Sequence, residues 1–372
     1  MKLTIISHTP HFIQNGIAYG WGPTVREVNF LSKIFKKIYH VAPFYNGKFS
    51  GSYVKYNKKV VFIPIIASGG SKIVNKLEIL LHIPHNLKKI HHSCLKSDLI
   101  HFRCPTNLGL YVLPYLKFIN KKKYWIKYAG NWSQSKPPIS YYLQKFWLEK
   151  VIKKEVVTIN GKWSNQRKHI YSFENPCFSI KELNESKKNI FKKSYDNKIK
   201  ICFVGAMEIG KGVDILMNAL SINKQKKHIE MVYFIGDGSE KKKIESMAFS
   251  IKDINTNFKG YISRKELNEI YKYCHILILP SKSEGFPKVV SEAISYGCVP
   301  IVSDVGSISQ YINEKNGVVL KERSSKYINI AIEKLLSCRK SFKKIAQNGI
   351  KTSNIFTYEY YIKRIKSIMI ND

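Results

Sequence analysis

Short apolar runs recur along the whole chain, each followed by a longer stretch in which apolar and polar residues mix. In the first half the runs are KLTIIS, KIYHVA, KVVFIPII, DLIHFRC, KKYWIKYA and EVVTI; in the second they are KIKICFVG, IEMVYFIG, CHILILP, VPIVS and NGVVL. Alternation of this kind predicts parallel strands joined by helical crossovers. Two such series predict two doubly wound α/β halves. Between them, FENPCFSIKELNESKKNIFKKSYDNK is polar, lysine-rich and free of a strand pattern, which places the boundary within 173–198. Near the end, Tyr358, Tyr361, Ile362, Ile365, Ile368 and Met369 recur at helical spacing, and such a helix needs an apolar surface to cover.

Composition narrows the class. A chain of 372 residues suits two domains of ordinary size, and 44% hydrophobic residues exclude a disordered chain. No apolar run approaches the length needed to cross a bilayer. The start, MKLTIISHTPHF, reads as a first strand and not as a secretory signal, so a cytoplasmic protein is expected. The seven cysteines form no C-x-x-C pair and lie mostly within or beside apolar runs, the pattern of reduced, packed thiols; no metal site is visible. The charge is extreme: 62 Lys and Arg against 26 Asp and Glu leave +36. Such a field attracts nucleic acid, anionic headgroups or phosphorylated substrates. Because Lys, Asn, Ile and Tyr are all abundant and share AT-rich codons, part of the excess is compositional.

Ligands of open α/β sheets bind beyond the carboxyl ends of the strands, so the turns there carry the candidate chemistry. After the first strand, NGIAYGWGPTVREV offers Gly16, Gly20 and Gly22 before a helix starting near Pro23. It is not a G-x-G-x-x-G fingerprint, and it fits a surface turn as well as a phosphate or substrate loop. In FVGAMEIGKGVDILMNAL a strand ends at Gly205 and Lys211 stands between Gly210 and Gly212 at a helix start, a setting suited to a pyrophosphate. No Ser or Thr follows Lys211, so the Walker pattern is absent. FIGDGSEKKKIE repeats strand, Gly236-Asp237-Gly238, helix; a tight turn accounts for it equally well.

SEGFPKVVSEA is sharper. It sets Glu284 in the loop after a strand and Glu292 about one turn inside the helix that Pro287 can begin. Taken singly, Glu284 could be a capping carboxylate and Glu292 an exposed helical residue.

The order and spacing of these stretches, with FKGYI and VPIVSDVGS, resemble the C-terminal domain of glycosyltransferase family 4 from Ile199 to about Leu320. That family comprises retaining transferases of the GT-B architecture, two Rossmann-like domains facing across a cleft. The resemblance implies an N-terminal acceptor domain over 1–175, a nucleotide-sugar domain over 176–355 and a last helix, 356–372, that crosses back onto the first domain. It implies that Glu284 faces the donor sugar and its phosphates and that Glu292 binds the ribose hydroxyls. The amides of Phe286, Lys288 and Val289 would point at the diphosphate, and Lys211 would neutralise the leaving group. Gly205 ends the first strand of this donor site, Gly236 and Gly238 would permit close approach to the nucleotide, and Tyr261, after Gly260, would lie near the base. No metal and no cofactor beyond a UDP- or GDP-linked sugar are then required.

This chain departs from that pattern twice. Ala206 stands where a basic residue usually follows Gly205, and Ala129 where a histidine often precedes the glycine matching Gly130, so the rate of transfer is in question. Arg103, Asn131 and Arg264 are candidates to compensate, and Gly20, Gly22, Arg103 and Asn131 are the acceptor-side candidates. The implied acceptor is a glycan or a lipid-linked sugar, in bacterial cell-surface polysaccharide or glycolipid synthesis. SKIVNKLEILLHIPHNLKKIHH and YYLQKFWLEKVIKK could form a basic, aromatic surface on an anionic membrane, although each reads equally well as a helix packed on a sheet. Two alternatives compete: a basic nucleic-acid-binding protein, for which no recognition module is present, and a sugar-nucleotide epimerase of related fold. Nucleic acid is not the expected partner.

Overall fold

The computed structural model describes residues 1–47, 49, 51–67, 73–190, 193–251 and 253–370. Residues 71–72, 191–192 and 371–372, which fall in the basic, boundary and C-terminal stretches above, lie outside the described residues. The chain divides into two units: Met1–Phe173 with the last segment from Ile362, and Glu174–Tyr361.

The first unit runs β1 (Lys2–Ile6), β2 (His11–Gln14), β3 (Ile17–Trp21), α1 (Gly22–Leu31), β4 (Lys37–Phe44), β5 (Tyr53–Lys55), β6 (Val60–Ile66), α2 (Ile73–Leu95), β7 (Leu99–Cys104), α3 (Gly109–Phe118), β8 (Tyr124–Tyr128), α4 (Ile139–Phe146), β9 (Val156–Asn160) and β10 (Ile170–Phe173). Its sheet has the order β10-β9-β8-β7-β1-β4-β2-β3-β5, with β6 also on β4. The neighbours of β1 are both parallel to it. The chain builds outward from β1 through β4 to β6, then returns through α2 to β7, so the strand order reverses between β1 and β7.

The glycine-containing stretch after β1 is not an open loop. Asn15 and Gly16, at φ 50° and 71°, close an antiparallel hairpin between β2 and β3. A two-residue turn with positive φ at both positions favours Asn-Gly, because its twist matches that of the flanking strands. Gly20 sits in β3 opposite His11, where a Cβ would lie 2.5 Å from the imidazole Nε2, and a Cβ on Gly22 would lie 2.4 Å from the Ser52 carbonyl oxygen. Both glycines are accounted for by protein packing.

Beneath the hairpin lies a chain of buried polar groups. His11 Nδ1 donates to the Thr9 carbonyl at 2.8 Å, which leaves Nε2 to accept from the Tyr56 hydroxyl at 2.6 Å. Tyr56 in turn accepts from His40 Nδ1 at 2.5 Å, and His40 Nε2 faces the Ser7 hydroxyl at 2.8 Å. Burial holds His11 down to about 4 and His40 and His101 well below 6.5, so these imidazoles are neutral. Their folded values lie below their unfolded ones. The unfolded chain therefore binds more protons as pH falls below about 6.5, and each such histidine removes up to about 1.4 kcal/mol of stability per pH unit. Thermal melts should show Tm falling between pH 6.5 and pH 5, above the main carboxylate range; a flat Tm across that window would contradict the neutral assignment.

The second unit contains α5 (Ile180–Ile190), β11 (Ile199–Val204), α6 (Val213–Ile222), β12 (Ile229–Ile235), α7 (Lys241–Phe249), β13 (Asn255–Lys259), α8 (Arg264–Tyr273), β14 (Ile276–Leu279), α9 (Lys288–Ser295), β15 (Val299–Ser303) and β16 (Val318–Leu320), followed by further helices. The lysine-rich stretch at the boundary holds α5, started by a reciprocal cap: Glu182 accepts from the Ser179 amide at 2.6 Å and returns its own amide to the Ser179 hydroxyl at 3.2 Å. The six strands are parallel in the order β13-β12-β11-β14-β15-β16. Strand order reverses between β11 and β14, and every residue of both strands except Lys200 is buried. Of the cysteines, six are buried and Cys338 is exposed, so that one is not a packed thiol.

The final helix, Tyr358–Ile365, starts in the second unit, where the Tyr358 amide donates to the Phe178 carbonyl at 2.9 Å. The residues from Ile362 onward group with the first unit, where Arg364 lies 4.3 Å from the Phe173 ring centroid. Among the described residues no helix is long and apolar enough to cross a membrane.

Candidate active site

In the second unit, the reversal of strand order puts the loops leaving β11 and β14 side by side, the position where open parallel sheets bind ligands. The Lys282 amide donates to the Gly210 carbonyl at 2.8 Å and ties the loops together. Gly212, at φ 75°, packs so closely that a Cβ would lie 2.3 Å from the Pro280 carbonyl oxygen. Arg323 clamps both loops, donating at 2.7 Å to Pro280 through Nε and at 2.7 Å to Ile209 through its terminal nitrogen. The result brings Lys211 Nζ to 2.5 Å from Glu284 Oε1.

The helix that follows carries the second carboxylate. Pro287 is its N-cap and Lys288 its first residue, which sets Glu292 one turn in, only 4% exposed. Glu292 is therefore no surface residue. Its carboxylate pairs with the Arg264 guanidinium, which enters from the start of α8, where Ser263 and Glu266 form a capping box. Burial is the largest single influence and opposes the charge on Arg264, but the Glu292 carboxylate together with Glu182, Tyr271 and Tyr358 outweighs it and holds the guanidinium protonated. Arg264, considered from sequence as a replacement diphosphate cation, is thus engaged with the second glutamate. Taking two charges out of water costs several kcal/mol per ion, so a buried pair of this kind is weak support for stability and a candidate for function.

Phe286 contributes its backbone. Its ring is buried, stacked on Phe356 at 4.8 Å, and its carbonyl accepts from Asn175 Nδ2 at 3.0 Å. Lys288 and Val289 open α9. The turns after β11 and β12 interlock: Gly205 donates to the Ile235 carbonyl at 3.0 Å and the Met207 amide to the Asp237 carbonyl at 2.9 Å. A Cβ on Gly236, at φ 130°, would lie 2.0 Å from the Gly205 carbonyl oxygen, and one on Gly238 would lie 2.4 Å from that of Met207. These glycines let one loop approach another. Tyr261 is exposed beside them, and the Gly260 carbonyl accepts from the Gly236 amide at 3.2 Å. Sequence reasoning passed over Arg323 and Asn175, and also the buried hydroxyls of Ser281 and Ser303, just after β14 and at the end of β15, which find no hydrogen-bond partner.

The acceptor-side candidates all lie in the first unit. Arg103 donates to both oxygens of Glu27, at 2.7 and 3.4 Å, and Lys127 reaches the same carboxylate at 3.0 Å. Asn131 caps an exposed turn, accepting from the Ser133 amide at 3.1 Å. Ala129 donates its amide to the Cys104 carbonyl at 2.7 Å. Gly20 and Gly22 are packed as described above.

Residues 185–352 match the family profile described as glycosyl transferases group 1. An uncharacterized glycosyltransferase of Methanocaldococcus jannaschii is 30% identical over 171 residues, 45% of this chain and 46% of that protein. The N,N'-diacetylbacillosaminyl-diphospho-undecaprenol alpha-1,3-N-acetylgalactosaminyltransferase of Campylobacter jejuni is 27% identical over 198 residues, 50% of this chain and 51% of that protein. The chain thus spans about half the length of these curated relatives. Among solved structures, Anabaena HepE in complex with UDP and glucose aligns over 100% of both chains with a TM-score of 0.68 at 13% identity, a likeness of fold. The two α/β units share the GT-B fold.

Proposed function

We propose that this chain, whose residues 185–352 match the glycosyl transferases group 1 profile, is a retaining, metal-independent glycosyltransferase. It moves a sugar from a UDP- or GDP-linked donor to a hydroxyl of a glycan or lipid-linked acceptor, in cell-surface polysaccharide or glycolipid synthesis, at the cytoplasmic side of a membrane. The observation that carries this reading is the pairing of two carboxylates eight residues apart with one cation each, Glu284 with Lys211 and Glu292 with Arg264, at the strand-order reversal of the second unit.

Each pair has a partner to exchange for the donor. Lys211 Nζ leaves Glu284 for the diphosphate, where it offsets the charge that grows as the bond between the anomeric carbon and the phosphate oxygen breaks. Glu284 is then free to accept from the sugar hydroxyls, and Glu292 turns to the ribose. The new bond to the acceptor oxygen forms on the face that the phosphate leaves, and the departing phosphate takes the acceptor's proton, so no second protein carboxylate is needed as a base. The Anabaena structure holding UDP and glucose supports a nucleotide-linked donor, and the Campylobacter enzyme, named for a diphospho-undecaprenol substrate, supports a lipid-linked acceptor.

A panel of nucleotide sugars tests the reading by thermal shift and by donor turnover, since a productive donor stabilises the folded protein. Glu292→Gln should weaken nucleotide binding about tenfold, while Glu284→Gln should lower turnover about tenfold with binding retained. Equal effects of both substitutions on both quantities would remove the division of roles. A product that is an epimerised sugar nucleotide, with no nucleoside diphosphate released, would replace transfer with epimerisation.

A further inference from the structure

Helix α4 is turned inside out. Ile139, Tyr142, Leu143 and Phe146 recur at helical spacing, yet they are 80, 59, 43 and 45% exposed, and the one buried residue of the helix is Gln144. At about 100° per residue, those four side chains fill an arc of about 100° on the side away from Gln144. The orientation is specified by hydrogen bonding. Gln144 Oε1 accepts from the Thr106 amide at 3.1 Å and Nε2 donates to the Ser140 carbonyl at 3.0 Å, in a space where Gly109 leaves room for the amide. Lys145 folds back, donating to the Trp132 carbonyl at 2.7 Å and lying over the Trp132 ring. The outward face is therefore left apolar.

The helix continues through a wider turn over Trp147–Val151, where Trp147 meets the exposed Phe118 of α3 edge to face at 6.0 Å. Beside this contact the end of α3, the start of β8 and the segment before β9 enclose a surface depression lined by Lys117, Lys121, Lys122, Lys123, Lys153 and Lys154. Its one acid, Glu155, accepts from the Tyr124 amide at 3.1 Å. An exposed apolar helical face beside a concentrated positive field has the chemistry that an anionic bilayer complements: side chains enter the acyl boundary while ammonium groups meet the headgroups. A second copy of this chain, at a net charge of +36, carries the same positive excess and does not complement this face.

We infer that the outward face of α4, with the lysines around the end of α3, is a docking surface for an anionic lipid bilayer. This deepens the membrane location proposed above and does not depend on the transfer chemistry. The test uses the full chain in vesicle flotation, with phosphatidylcholine alone and with phosphatidylcholine containing about one third phosphatidylglycerol. Wild type should float with the anionic vesicles and lose binding as salt rises. Tyr142→Ser with Phe146→Ser, and separately Lys117→Glu with Lys153→Glu and Lys154→Glu, should each reduce partitioning at least tenfold while the nucleotide-induced thermal shift is unchanged. The lysine set changes only exposed side chains, so it keeps the test standing if the apolar pair fails to fold. Absence of wild-type binding at low salt, equal binding to neutral vesicles, or unaltered binding by both variants would overturn the inference. So would a chain–chain dimer that both variants dissociate without vesicle binding. A nucleotide shift that is absent from every protein, wild type included, would count against the proposed transfer and leave the docking surface standing.

Discussion

Lys211→Ala should lower the turnover of a productive nucleotide sugar about 100-fold or more, by analogy with removal of one preorganised charge-stabilising group. With Ala206 beside it, the loop after β11 offers no second cation at the position next to Gly205, so the loss should fall on turnover more than on binding. Lys211→Arg should recover part of the rate, because it restores the charge with altered reach. Single-turnover measurements at saturating donor check this. Full activity in the alanine variant would mean that the diphosphate lies away from the Lys211–Glu284 pair. A change confined to KM would mean that Lys211 binds ground state and transition state equally.

The two glutamates were legible because their information is local: a buried strand, a proline that can open a helix, and eight residues between the carboxylates. Their ion-pair partners were not. Lys211 reaches Glu284 from 73 residues away and Arg264 reaches Glu292 from another strand–helix unit, so only the strand order could reveal them. The glycines at 236 and 238 also serve a purpose the sequence does not show, the close approach of the neighbouring loop's backbone, where a Cβ would lie 2.0 Å and 2.4 Å from the carbonyl oxygens of Gly205 and Met207. For the hairpin, the signal was present and outweighed: Asn15-Gly16 between two short β-rich runs is a turn with a mechanism, whereas the glycine spacing suggested a loop. For α4 the period is legible in the sequence, but the facing is left open between a packed and an exposed stripe, and the structure exposes it. Periodicity identifies an apolar stripe, but one buried amide that caps a neighbouring segment decides which side of the stripe looks inward.

Glu27 shows the same limit from the other side. It lies three residues after Thr24 and four before Leu31, on the stripe of α1 that also holds Val28, and its side chain is fully buried against Arg103 and Lys127. A carboxylate on a core stripe at the carboxyl ends of β7 and β8 was visible in the sequence once the helix was drawn, but Lys127, in the apolar run YWIKY, gave no sign of its partner. Glu27→Ala should cost about 3–5 kcal/mol, because it leaves the buried Lys127 and the part-buried Arg103 without their shared carboxylate. For a unit of this size that corresponds to a fall in Tm of roughly 6–20 °C. Glu27→Gln keeps the shape and one acceptor but removes the charge, so its Tm should fall between the two. Replacing the buried lysine together with its partner, Glu27→Leu with Lys127→Leu, should cost less than the sum of the single changes, since buried ion pairs often exchange for apolar residues at little net loss. Thermal melts of wild type, these variants and the Glu27→Leu and Lys127→Leu singles at pH 7, above the range in which the histidines titrate, isolate the effect. A Tm of Glu27→Ala within about 1 °C of wild type would mean that water or other groups already screen Arg103 and Lys127, and that the carboxylate is not what holds them.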